Sequence, residues 1–201
     1  MFSLSVKAPT RIDLAGGTLD LWPLYCLLEK KMTVNCAIDL STQVSIQESP
    51  TKRFSLLSED QQISWQGSFS ELAQAKNLEL FAYLLKELWG EELPALEILA
   101  KAASPKGAGL GGSSTLVVCL ATALLQAKAH YLNQSMPNEK QMVRICQDIE
   151  ASLLRIPTGS QDYWAAIRGG CNLISYPAGE QEVETLELDF FAESNFAFLL
   201  I

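Results

Sequence analysis

Hydrophobic and polar positions alternate with a period of two in a series of short stretches, and shift to a helical period in others. Residues 4–8 alternate, Pro9 interrupts them, and residues 11–15 alternate again, which predicts short strands on either side of the proline. Residues 32–39 and 42–48 predict two further strands, and 53–57 and 61–65 two short ones around a turn at 58–60. Strands are also predicted at 96–101, 171–176 and 183–188, with a turn at 177–180. Residues 21–25 and those after them predict a short irregular or helical element. In 70–90, Leu78, Phe81, Leu84, Leu85 and Leu88 recur at helical spacing before Gly90, so a helix or helix pair is expected there. Trp89, at its end, is read as core, with proximity to a nucleotide base as the alternative. Residues 116–125 are apolar and free of charge, Gly and Pro, as a core helix is, and about half as long as a membrane span. Asn138 and Gln141 form an N-cap pair for another helix ending near 154. The fold class expected is α+β, a mostly antiparallel sheet with helices packed on it.

Composition narrows the function. The 201 residues are 48% hydrophobic and 19% charged, which describes a globular chain with a sizeable core. A net charge of −8 argues against nucleic acid as a partner, although a few local groups can still hold a nucleotide. No basic region followed by an apolar core opens the chain, so neither a signal peptide nor a membrane partner is expected. Cys26, Cys36, Cys119, Cys146 and Cys171 are scattered and, with His130 the single histidine, form no usual zinc set. They are expected to be reduced, buried thiols of a cytoplasmic protein.

Residues 105–115 carry the clearest chemistry. Pro105, Lys106, Gly107, Ala108, Gly109, Leu110, Gly111, Gly112, Ser113, Ser114 and Thr115 run directly into the apolar helix. A glycine-rich turn opening a helix gathers unpaired N–H groups and the positive end of the helix dipole at one point, where phosphate binds. The serines can cap the helix, contact a phosphate oxygen or hold a cation. A Walker A loop needs its lysine after the glycines, and Lys106 precedes them. Gly107, Gly109 and Gly112 satisfy G-x-G-x-x-G, but the acidic residue a dinucleotide fold wants about 20 positions on is missing; the next is Glu139. The remaining pattern, P-x-x-x-G-L-G-x-S-S, is met by Pro105, Gly109, Leu110, Gly111, Ser113 and Ser114. It resembles the phosphate loop of the galactokinase, homoserine kinase, mevalonate kinase and phosphomevalonate kinase (GHMP) superfamily.

Two further segments resemble the same superfamily. Pro9, Arg11, Gly16, Gly17, Thr18 and Asp20 keep the order of its first motif, in a form similar to the heptose-phosphate kinase and fucokinase branch. Glycines after a strand expose the next side chains at the strand end, so Gly17, Thr18 and Asp20 are candidates for contacting a polyol. Val143, Cys146, Glu150 and Leu153 share one helical face. A carboxylate on that apolar stripe needs either a cation or a hydrogen-bonding or basic partner. Residues 157–170, with Gln161, Asp162 and the pair Gly169–Gly170, are similar to a further segment of the superfamily, in a spacing that again resembles the heptose kinase branch. Read locally, Asp162 could equally cap the helix that follows it.

The resemblance implies ATP-dependent transfer of the γ-phosphate to a hydroxyl of a sugar or sugar phosphate. It implies that residues from Pro105 to Ser114 cradle ATP and that Ser113 and Glu150 hold Mg²⁺. It further implies that Asp162 is the base, with Arg11 keeping it ionised. A left-handed β-α-β crossover, against the general rule, is implied for the fold. So is a domain over residues 1–190 followed by the start of another at 191–201, about the N-terminal half of a full kinase. The apolar end around 196–201 is then expected to self-associate. Rival readings are a kinase for a small non-sugar alcohol such as mevalonate or homoserine, and a non-catalytic nucleotide-binding half.

Overall fold

The computed structural model describes residues 2–177 and 180–187. The expected domain start at 191–201 and the end expected to self-associate lie outside the described residues, as does part of the predicted turn at 177–180.

A long hairpin is the spine of the sheet. β1 (Ser3–Ala15) and β2 (Met32–Glu48) pair antiparallel along nearly all their length. Where the sequence predicts breaks, both strands continue, because the ladder absorbs the irregularity. Pro9 opposes Ser41 and Thr10 opposes Ile38, so Asp39 and Leu40 of β2 are left over as a bulge. A proline is tolerated there because β1 pairs with β2 alone and forms an edge.

β3 (Phe54–Ser58), β4 (Ile63–Gly67), β5 (Leu96–Ala102), β6 (Cys171–Ser175) and β7 (Glu182–Leu186) complete a seven-stranded sheet, ordered β4-β3-β5-β2-β6-β7 with β1 along β2. Among the described residues only β3 and β5 run parallel, and every other pairing is antiparallel. The second half of β2 pairs with β5 and its first half with β6. The chain is therefore α+β with a mostly antiparallel sheet.

Helices cover one face of that sheet. α1 (Glu79–Leu84) runs into a wider turn at Leu85–Trp89 and is preceded by a 3-10 turn at Phe69–Gln74, in the region where a helix or helix pair is expected. α2 (Gly112–Leu132), α3 (Glu139–Leu154) and α4 (Gln161–Arg168) follow. α2 and α4 lie on β1 and β2, while α3 packs against both helices. The core joins Val44 and Ile46 of β2 and Leu96, Ile98 and Ala100 of β5 to Val117, Leu120, Ala121 and Leu124 of α2. The 21-residue α2 is long and apolar enough to cross a bilayer by length and composition. Its apolar side chains are instead packed against the sheet and its neighbouring helices. Trp89 is core: it is buried, and its indole N–H donates to Pro94 O at 3.0 Å. The Asn138–Gln141 pair forms a reciprocal capping box at the start of α3.

One expectation fails. The cysteines are not all free: Cys36 and Cys171 are joined in a disulfide, while Cys119 and Cys146 are buried free thiols and Cys26 is exposed. Pairing β6 with β2 sets Cys171 directly opposite Cys36, with their Cα atoms 4.0 Å apart. The two lie 135 residues apart in sequence, and only the strand register brings them together.

Candidate active site

The glycine loop forms one wall of the site. It leaves β5, takes left-handed backbone conformations at Gly107, Gly109 and Gly111, and enters α2. No side chain caps the N-terminus of α2, so its first N–H groups point into the loop. The loop lines a cavity of about 440 Å³ together with Ser114 and Asp162. Gly111 meets two demands at once. Its φ of +72° suits glycine, and a Cβ there would stand 3.0 Å from the Asp162 carboxyl carbon and from Oδ2. Leu110 is buried and anchors the loop, and its carbonyl accepts the Arg11 N–H at 3.1 Å along the free edge of β1.

Arg11 and Asp162 meet beside this loop. The Arg11 Nε and Nη2 atoms both approach Asp162 Oδ1 at 2.6 Å, and Nη1 donates to Gly109 O. Because the guanidinium converges on one oxygen, Oδ2 is left on the side toward Gly111. Burial pushes the Asp162 carboxyl above its ordinary range, more than the charge and hydrogen bonds of Arg11 pull it down.

Glu150, one turn from the end of α3, reaches the start of α2 from the other side. Its Oε1 accepts Ser113 Oγ at 2.8 Å, and its Oε2 accepts Ser114 Oγ at 2.8 Å and the Tyr163 hydroxyl at 2.7 Å. Among the described residues no group of three or more His, Cys, Asp or Glu side chains could hold a metal by itself. One buried carboxylate with serine hydroxyls beside the uncapped N-terminus of α2 still suits a hard cation that takes waters and ligand oxygens as its remaining partners.

A second cavity, about 320 Å³, opens on the far side of Asp162. Arg11, Asp13, Gly17, Thr18, Asp20, Gln161, Glu150, Ser114 and Asp162 line it. Thr18 is exposed in it, but Asp20 is buried, and its Oδ2 accepts the Gln161 N–H at 3.0 Å, tying the first motif to the start of α4. Burial raises the Asp20 carboxyl above its ordinary range, against the lowering effect of that N–H. The approach is close enough that a Cβ on Gly159 would overlap the Asp20 carboxylate. The Gln161 side chain donates to Gly17 O at 2.9 Å and to Asp13 Oδ2 at 3.3 Å. Beneath it, buried Asn35 donates to Gln161 O at 2.9 Å.

The sequence-predicted residues therefore converge. Arg11, the loop, Ser113, Ser114, Glu150 and Asp162 share one cleft, and Gly17, Thr18 and Asp20 line its second chamber. Ser114 and Asp162 line both chambers. Sequence reading passed over Asp13, Asn35 and Tyr163, and gave no role to Gln161. The last two flank Asp162 directly, and Asp13 falls two residues after Arg11 on β1, hence on the same strand face.

Comparison with known proteins agrees with this geometry. The family described as the GHMP kinases N terminal domain matches residues 75–170. A D-glycero-alpha-D-manno-heptose 7-phosphate kinase of Campylobacter jejuni is 27% identical over 180 residues, covering 88% of this chain and 51% of the relative. The chain thus spans about half the length of the curated relative it matches. Among solved structures, a D-glycero-D-manno-heptose 1-phosphate kinase from Bacteroides thetaiotaomicron superposes with a TM-score of 0.79 at 26% identity, covering 94% of this chain and 61% of that one. The Methanococcus jannaschii mevalonate kinase, at 15% identity, shares the fold with a TM-score of 0.69 over 94% of this chain and 57% of its own. Over residues 75–170 the chain matches this family model, and its fold is similar to that of these kinases.

Proposed function

We propose that this chain supplies the nucleotide and acceptor sites of an ATP-dependent kinase that phosphorylates a hydroxyl of a sugar or sugar phosphate, in the manner of the heptose-phosphate kinases it is similar to. One observation carries the reading: the glycine-loop chamber and the carboxylate-lined chamber meet at Ser114 and Asp162. A donor phosphate in the first and an acceptor hydroxyl in the second would face each other across that junction.

The N–H groups of residues 107–114 and the start of α2 bind the triphosphate. Ser113 and Glu150 would hold Mg²⁺, which would supply charge neutralisation on the phosphate oxygens. Asp162 accepts the acceptor's hydroxyl proton at Oδ2, the oxygen that Arg11 leaves free. The acceptor oxygen then forms its bond to the γ-phosphorus as the bond from that phosphorus to the ADP oxygen breaks. Arg11 keeps Asp162 ionised against its burial and links the base to the loop through Gly109 O. Asp13, Thr18 and Asp20 make the acceptor chamber rich in hydrogen-bond acceptors, which suits a polyol better than an acceptor bearing one hydroxyl.

Calorimetric titration with ATP and Mg²⁺, beside a Gly111→Asp variant, tests the nucleotide site. Binding by the natural chain and none by the variant is expected, since the new carboxylate would crowd Asp162. Equal binding by the variant would move the nucleotide off this loop, and no binding by the natural chain would overturn the reading. Profiling with heptose phosphates, fucose, mevalonate and homoserine then separates the acceptor classes.

A further inference from the structure

The two oxygens of Glu150 are held unequally. Oε1 has Ser113 alone, whereas Oε2 has both Ser114 and the phenol of Tyr163. We infer that Tyr163 is a positioning residue for the cation: by anchoring Oε2 it turns Oε1, together with Ser113, toward the metal that accompanies ATP. This rests on the kinase reading above.

Tyr163 is fully buried, and a buried phenol must place its hydroxyl on a partner. Its close partner is Glu150 at 2.7 Å, with Thr158 Oγ1 farther off at 3.3 Å. Packing alone would be served by phenylalanine, so the hydroxyl is explained by the carboxylate. The location adds a link. Tyr163 follows Asp162 in the first turn of α4, so one rigid turn sends the base toward Arg11 and the anchor toward Glu150. Partners that orient a metal-binding carboxylate typically matter by about 10- to 100-fold in metal affinity. Here that effect would be read as the gain in ATP affinity that Mg²⁺ confers.

The test compares ATP affinity in EDTA and in Mg²⁺ for the natural chain, Tyr163→Phe, Glu150→Gln and the double variant. Tyr163→Phe is expected to bind metal-free ATP as the natural chain does and to lose about tenfold or more of the Mg²⁺ gain. Glu150→Gln should lose that gain too, and the double variant should lose little beyond Glu150→Gln. Mn²⁺ titration of the ATP complex by electron paramagnetic resonance should show the same order. A Tyr163→Phe variant that melts earlier yet keeps its whole Mg²⁺ gain would reduce Tyr163 to a packing role and overturn the inference alone. A natural chain that binds no ATP would remove the kinase reading and this inference together. Should Tyr163→Phe fail to fold, 3-fluorotyrosine at 163 serves instead: its ¹⁹F resonance must move when Mg²⁺ joins the ATP complex, and a static signal overturns the inference.

Discussion

Replacing Arg11 by methionine isolates the electrostatics of the site, because the side chain keeps its length and loses its charge. In the folded chain Arg11 brings Nε and Nη2 to 2.6 Å from Asp162 Oδ1, with the side chains 13% and 21% exposed. Both donors share one oxygen, so the pair lacks the strength of a two-oxygen fork and ranks as an ordinary charge-assisted contact of about 2 kcal/mol. Losing that contact raises the Asp162 pKa further, because the charge and hydrogen bonds of Arg11 are the main offset to its burial. The sign follows from burial. The Asp162 pKa is already raised, so the folded state binds this proton more tightly than the unfolded state. Its contribution to stability is then full below the unfolded carboxylate pKa and falls as pH rises through the folded value. Removing Arg11 lifts the folded value further, so the variant should lose about 2 kcal/mol more near pH 7.5 than near pH 4, where only the lost hydrogen bond to Gly109 O counts. Carbon-13 NMR of the Asp162 carboxyl, assigned with Asp162→Asn, reads the pKa, and urea unfolding at the two pH values reads the stability. An unmoved midpoint, or a stability loss independent of pH, would refute the reasoning.

Asp162→Asn is expected to lower turnover of the active kinase by about 10²- to 10⁴-fold while ATP affinity stays close to the natural value, read by steady-state kinetics beside calorimetry. Asn138→Ala breaks the capping box of α3 and should cost about 1 kcal/mol in denaturant unfolding. Under non-reducing conditions, peptide mapping should recover Cys36 linked to Cys171. In the same folded sample Cys26 should alkylate readily, whereas Cys119 and Cys146, whose thiols burial pushes up to about 12, should react only after unfolding.

The loop, Arg11, Glu150 and Asp162 were legible in the sequence because each sits in a local pattern: glycines before a helix, a residue in an alternating strand, a carboxylate on an apolar stripe. What could not be read locally depends on register. The bulge at Asp39 and Leu40 fuses two predicted strands into β2, and only the pairing with β1 reveals it. The Cys36–Cys171 bond follows from β6 lying beside β2, a neighbour relation that no spacing encodes. The sequence suggests Asp20 as a candidate sugar contact, and in the folded chain it accepts the Gln161 N–H. Tyr163 reads as one aromatic position among others on α4 until its hydroxyl is seen at 2.7 Å from Glu150.

The spans between partners in the cleft set the order in which it can be assembled. Ser113 finds Glu150 across 37 residues, within a contiguous α2–α3 unit, whereas Arg11 must find Asp162 across 151 and Asp20 must find Gln161 across 141. Closing those longer loops carries the larger entropic cost and is repaid only when β1, β2 and α4 come together. In refolding from denaturant the Ser113–Glu150 contact can form early, while the Arg11–Asp162 and Asp20–Gln161 contacts wait for segments far apart in sequence. Their return, read at the Asp162 carboxyl, should therefore lag helical circular dichroism, which makes it the more stringent measure of a fully folded chain.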